Sequence, residues 1–118
     1  MKPVLWVGSS LGDLKRFPVQ ARRLAGLQLY AAQQGWAPFD QKPMADVGAG
    51  VYEIRVRTGQ EHRVFYIAKF VEGLYVLHAF EKKTRRTAAK DLDLGRRRYR
   101  ELLRHRRALG MEGGTKWP

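Results

Sequence analysis

EIRVRTGQEHRVFYIAKFVEGLYVLHAFEKK, residues 53–83, reads as three β-strands joined by two short hairpins. From Val51 to Arg57 the chain alternates, with Tyr52, Ile54 and Val56 pointing one way and Glu53, Arg55 and Arg57 the other. Thr58-Gly59-Gln60-Glu61 is a polar, glycine-containing connection of hairpin length. His62 to Phe70 is apolar on both faces, as in a central strand covered on each side; its exceptions, Arg63 and Lys69, share one parity. Glu72-Gly73 turns the chain into a third strand, Leu74 to Phe80, which ends abruptly in the cations of His78-Ala79-Phe80-Glu81-Lys82-Lys83.

Outside this meander the periodicity changes. Val4 to Val7 is a short apolar run and predicts a strand buried among others. Ser10-Leu11-Gly12-Asp13 has capping-box spacing, so a helix starts there, with Leu11, Leu14 and Phe17 at helical intervals. Pro18 either opens a second helix or kinks the first. Val19 to Gln34 reads as helix with an apolar stripe of Val19, Leu24, Leu27 and Ala31, aided by Leu29 and Tyr30. Arg22, Arg23, Gln28 and Gln33 fall outside that stripe, Gly26 leaves room for close packing, and Gly35 is the C-terminal stop. Residues 36–50 read as a loop laid over the core by Trp36, Phe39 and Met44. Thr87 is the expected cap of a last helix over Ala88 to Ala108, with a narrow face of Leu92, Tyr99, Leu102 and Leu103. Its other face carries Arg96, Arg97, Arg98, Arg100, Arg104, Arg106 and Arg107. The expected organisation is one domain over residues 1–109 and a disordered tail over 110–118.

Charge narrows the function. The chain has 23 Lys plus Arg against 11 Asp plus Glu, a net +12, so its partner should be polyanionic. Twelve of those cations and only three acids lie between Lys82 and Arg107. Hydrophobic residues make up 44%, too many for a disordered basic tail. Without cysteine there is neither a disulfide scaffold nor a thiolate metal site, and His62, His78 and His105 lack metal-ligand spacing. No apolar run reaches the ~20 residues that span a bilayer, and the start lacks a signal peptide's apolar core, which makes the cytoplasm the expected compartment.

Three segments in order, Gly50-Val51-Tyr52-Glu53-Ile54-Arg55, Arg63-Val64-Phe65-Tyr66 and Val76-Leu77-His78-Ala79-Phe80-Glu81-Lys82-Lys83-Thr84, carry a resemblance over residues 3–107. The chain resembles the RelE/HigB superfamily of bacterial toxins, most closely the phage-derived HigB-like branch. It departs at Ala88, where relatives commonly have proline, and in the arginine loading of the last helix. The resemblance implies a small α+β fold: an N-terminal strand and helical hairpin packed on a mainly antiparallel sheet of about four strands, with a basic C-terminal helix. It also implies a ribosome-dependent mRNA endoribonuclease (mRNA interferase) that inhibits translation without metal or cofactor. The implied partners are the ribosome, mRNA and a cognate antitoxin, commonly a helix-turn-helix protein from the same operon, in a toxin–antitoxin hetero-oligomer.

Metal-free RNA cleavage uses the RNA's own 2′-hydroxyl as nucleophile. It needs a base for that proton, cations for the charge growing on the phosphorane and an acid for the leaving 5′-oxygen. Arg63 is the first candidate, because a guanidinium forks onto two phosphate oxygens; the alternative is an exposed arginine paired with Glu53 or Glu61. Arg55 is a second cation if the hairpin register places it beside Arg63. His78 can exchange a proton near neutral pH or serve as a hydrogen-bonded structural residue. Lys82 or Lys83 can act as base if crowding by neighbouring cations depresses its pKa, or either can clamp phosphate. Tyr66 and Phe80 can stack on a splayed base or belong to the core. Lys69, Arg85 and Arg97 are further RNA-binding cations, whereas His62 and His105 read as solvent-exposed. The competing function is a non-catalytic basic RNA- or DNA-binding module of the same fold.

Overall fold

Alternation in the meander becomes three long antiparallel strands, and the other elements attach to them. The computed structural model describes residues 1–111, in the order β1 (Val4–Trp6), α1 (Ser10–Lys15), α2 (Val19–Gln33), β2 (Gln41–Pro43), β3 (Val51–Arg57), β4 (Glu61–Ile67), β5 (Leu74–Glu81) and α3 (Ala89–Ala108). The architecture is α+β, with one five-stranded sheet in the order β1-β5-β4-β3-β2. β1 runs parallel to β5 and all other pairs are antiparallel. The sheet therefore has one strand more than expected. Gln41–Pro43, read as loop, pairs with Tyr52–Ile54 as an edge strand, the position where a proline without an N–H is tolerated. β1 is the opposite edge and only half-buried, not enclosed by other strands.

Each face of the sheet carries its own core. On one, Ile54, Val56, Val64, Tyr66, Leu74, Val76 and Ala79 pack against Leu14 and Phe17 and the small residues Ala21, Ala25 and Ala32. On the other, Val51, Phe65, Ile67, Leu77 and Phe80 pack against Val47 and Leu102. Gly95 lets α3 approach this second face, because a Cβ there would lie 2.9 Å from Phe65.

The helices depart from the expected pattern in informative ways. α2 starts directly after Pro18 and ends at Gly35, whose φ of 83° allows Trp36 N–H to reach the Ala31 carbonyl. Its buried residues are Ala21, Ala25, Gln28, Leu29 and Ala32, while Val19, Leu27 and Tyr30 face outward. Small side chains bring α2 close to the sheet, and Gln28 is buried because it donates to the Arg55 carbonyl and accepts from Asp40 N–H. Gly26 lies in open space and makes no close packing. Trp36 and Phe39 are exposed, and only Met44 packs on the core.

The expected capping residues also shift. Ser9 precedes α1 and donates to Asp13 Oδ2, while the Ser10 hydroxyl donates to the Val76 carbonyl. Ala88, not Thr87, occupies the N-cap of α3 and provides no side-chain cap. At the other end Gly110 closes the helix, with Met111 N–H reaching the Arg106 carbonyl. Of the tail expected over 110–118, residues 112–118 lie outside the described residues. No helix among the described residues is long and apolar enough to cross a membrane.

Candidate active site

The end of the sheet where β4 begins and β5 finishes gathers most of the candidate residues. Arg63 sits in register with Arg55 on β3 and Phe80 on β5, and Lys82 N–H donates to the Glu61 carbonyl. An irregularity in the β4–β5 ladder sets the orientation of His78: Phe65 pairs with His78 but Tyr66 pairs with Val76, leaving Leu77 as an extra residue. Strict alternation would send Leu77 and His78 to opposite faces. With the bulge, both reach the α3 side, where Leu77 joins the second core and His78 meets α3.

His78 is the chemically distinctive group of the site. Its Nε2 lies 2.8 Å from Asp91 Oδ1, in the first turn of α3. Its Nδ1 is buried and has no hydrogen-bond partner among the described residues. Phe80 stacks on the imidazole at 4.6 Å, and Phe65 meets it edge-on. Burial pushes the His78 pKa below the ordinary histidine value; the Asp91 hydrogen bond and charge oppose this, Arg98 adds to it, and Asp13 opposes it. The neutral form therefore prevails at pH 7. Nε2–H then donates to the carboxylate and Nδ1 keeps a free lone pair, the arrangement of a general base held by an orienting acid.

Around this pair the surface is cationic. A groove lined by Phe80, Glu81, Lys82, Lys83, Ala88, Lys90 and Asp91 runs along the start of α3. Lys82 Nζ donates to the Arg85 carbonyl, while Lys83, Arg85, Arg86 and Lys90 have no carboxylate within 4 Å among the described residues. His78 also lines a hollow beside α1, with Asp13, Arg16 and His62.

The two strand arginines are engaged differently from an open phosphate clamp. Arg63 is 4% exposed, with Nη2 2.8 Å from Glu61 Oε1 and Nε 3.5 Å from buried Glu53 Oε1. Its hydrogen bond is the leading cause of a lowered Glu61 pKa. Arg55 is tied to Asp40 at 2.9 Å. Tyr66 does not join the site. It lies on the other face, stacked with Tyr52 and donating to Gln41, and burial drives its phenol pKa upward. Lys69 follows the far end of β4 and lies over the Phe70 ring, whereas Arg97 is exposed on α3 beside Glu101.

Several participants escaped the sequence reading. Asp91 follows His78 by 13 positions, with no local pattern linking them. Helical spacing places Arg98 on the solvent face, but it is buried, donating to the Leu77 carbonyl and to Ser9 Oγ. Arg106 shares that expected face, yet it forks onto Glu72 and lies 3.7 Å over the Phe70 ring. His62 is not solvent-exposed: at 2% exposure it packs against Phe17, and burial lowers its pKa.

The family model described as "Phage derived protein Gp49-like (DUF891)" matches residues 12–100. No curated protein matches the chain.

Proposed function

This chain belongs to the phage-derived Gp49-like family, within the RelE/HigB-like group of toxin–antitoxin toxins, and on that basis we propose that it is a ribosome-dependent mRNA endoribonuclease of the cytoplasm. The observation that carries the reading is the His78–Asp91 pair: a buried neutral imidazole with one unmet nitrogen, beside a groove that Lys82, Lys83 and Lys90 line.

In this mechanism RNA binding opens the surface over the buried His78 Nδ1, and the 2′-hydroxyl then hydrogen-bonds that nitrogen and gives up its proton there. The resulting oxygen attacks the adjacent phosphorus, the bond to the 5′-oxygen breaks, and the products are a 2′,3′-cyclic phosphate and a 5′-hydroxyl. Asp91 holds the ring and stabilises the imidazolium as it forms. Lys82 gives a proton to the departing oxygen, while Lys83, Arg85 and Arg86 hold the phosphates on either side. Phe80 supports the imidazole and offers its outer edge to a base. Arg63, neutralised by Glu53 and Glu61, acts as a positioning residue that fixes the strand carrying this surface; Arg55 does the same beside Asp40. Tyr66 belongs to the core in this scheme, and Lys69 and Arg97 are peripheral cations. A helix-turn-helix antitoxin from the same operon restrains the activity in a hetero-oligomer.

Induced expression in a bacterial host without the antitoxin tests the reading, with growth and mRNA 5′-end mapping as readouts. Wild type should arrest growth and produce new 5′ ends within translated codons. His78→Gln should reduce cleavage by about 10²–10⁴-fold, the usual contribution of a positioned base, while the folded protein still accumulates. Normal growth with intact mRNA from folded wild type would leave the non-catalytic binding module as the better account. Cleavage of naked RNA at the same rate as ribosome-bound message would remove the ribosome from the scheme.

A further inference from the structure

Among the described residues nothing covers the outward face of α2. Val19, Leu27 and Tyr30 are 50%, 62% and 50% exposed, and Trp36, which meets the Tyr30 ring edge-on at 6.4 Å, is 62% exposed. Helical spacing places Val19, Arg23, Leu27 and Tyr30 on one side of the helix, with Gly26 keeping the stripe flat between them. Leu27, Tyr30 and Trp36 gather at the C-terminal half of this side, with Arg23 between them and Val19, and an exposed apolar cluster of this kind on a charged protein marks an interaction surface.

The surrounding charge selects the occupant. α2 contains no acidic residue, and Lys15, Arg22 and Arg23 have no carboxylate partner among the described residues. A second copy would bring the same cations, and a net +12, against this rim. An acidic helix would instead place carboxylates on Arg22 and Arg23 while its apolar side covers Leu27, Tyr30 and Trp36.

We infer that the outer face of α2, with Trp36, docks an acidic amphipathic helix supplied by the antitoxin. The inference rests on the toxin–antitoxin reading above for the partner's identity, but the surface is argued from α2 itself. It lies on the layer opposite His78, because α2 covers the sheet face turned away from α3. An antitoxin held here leaves the α3 groove uncovered by that contact.

The probe is a synthetic helix of about 20 residues carrying leucines along one stripe and glutamates beside it. It is titrated into isotopically labelled full-length protein and followed through amide chemical shifts. Perturbations should concentrate over residues 19–36. Leu27→Ser/Tyr30→Ser, at half-exposed positions that leave the far-UV spectrum and Tm unchanged, should weaken binding by about tenfold or more. Removing charge elsewhere, in Arg100→Ala/Arg104→Ala, should leave affinity unchanged, and a peptide with lysine for every glutamate should not bind. Perturbations centred on α3, with the double serine variant binding like wild type, would overturn the inference by reducing the contact to general charge attraction. A free chain that sediments as a dimer and becomes monomeric in the serine variant would assign the face to a second copy and overturn it equally. Neither result bears on growth arrest, so failure of this surface and failure of the endoribonuclease reading are separately visible.

Discussion

Arg63 illustrates how burial changes the meaning of a charged side chain. In sequence it interrupts an apolar strand and looks like a phosphate ligand; in the fold it is enclosed between Glu53 and Glu61, with its partner Glu53 2% exposed. Removing one member of a buried ion pair leaves the other charge desolvated and uncompensated, at a cost of roughly 3–5 kcal/mol. Arg63→Ala should therefore lower the urea midpoint sharply, and Arg63→Ala/Glu53→Ala should lose less than the two single losses added together. Strict additivity in that double-mutant cycle would show that the pair is uncoupled. Loss of toxicity in Arg63→Ala alone says little about chemistry, which is why His78 is the better residue to test. At His78 burial instead leaves one nitrogen without a hydrogen-bond partner among the described residues and favours the neutral ring.

Among the elements, two helical glycines separate propensity from packing. Gly26 in α2 and Gly95 in α3 both forgo about 1 kcal/mol of helix propensity relative to alanine. A Cβ on Gly26 meets nothing within 4 Å, so Gly26→Ala should raise Tm. A Cβ on Gly95 meets the fully buried Phe65 ring at 2.9 Å. Gly95→Ala should lower Tm, since overpacking of about 1–3 kcal/mol opposes the propensity gain. It should also disturb the site, because α3 carries Asp91 to His78 across that same contact. Equal Tm shifts for the two variants would remove the close approach of α3 to Phe65 from the account.

For the whole molecule, the two buried histidines couple folding to pH from opposite faces of the sheet. His62 packs on Phe17 on the α1 side and His78 packs on Asp91 on the α3 side, and burial is the leading cause of the lowered pKa in each. The unfolded chain protonates near the ordinary value of about 6.5, the folded chain only at lower pH. In that interval the unfolded state binds more protons, so stability is full above about pH 6.5 and falls as pH drops toward the folded pKa values. Glu61, lowered chiefly by its Arg63 hydrogen bond, adds a second loss only below its own unfolded value of about 4.5. Urea midpoints should thus decline from pH 7.5 to about 5.5, and less steeply in His78→Gln. A flat profile over that range would contradict the burial assigned to both rings.

Much of the fold was legible because its signals are local. The β3 boundaries follow from alternation, the ends of α2 from Pro18 and Gly35, and the length of α3 from its leucine spacing. Side-chain direction was less legible. Leu27 and Tyr30 look like core in a helical wheel, but the fold uses the alanines beside them, since close helix–sheet approach requires small residues. Arg98, Arg106 and His62 read as surface because burying a charged or polar ring requires partners that only long-range packing supplies: Ser9, Glu72 and Phe17 lie 89, 34 and 45 residues away. The site follows the same division. The sequence by itself determined that His78, Phe80, Lys82 and Lys83 would emerge together from one strand, because they are neighbours along the chain. Only the tertiary structure decided that Leu77 would be the bulged residue, that His78 would face α3, and that Asp91 would meet it, because register and helix docking are set by contacts between segments.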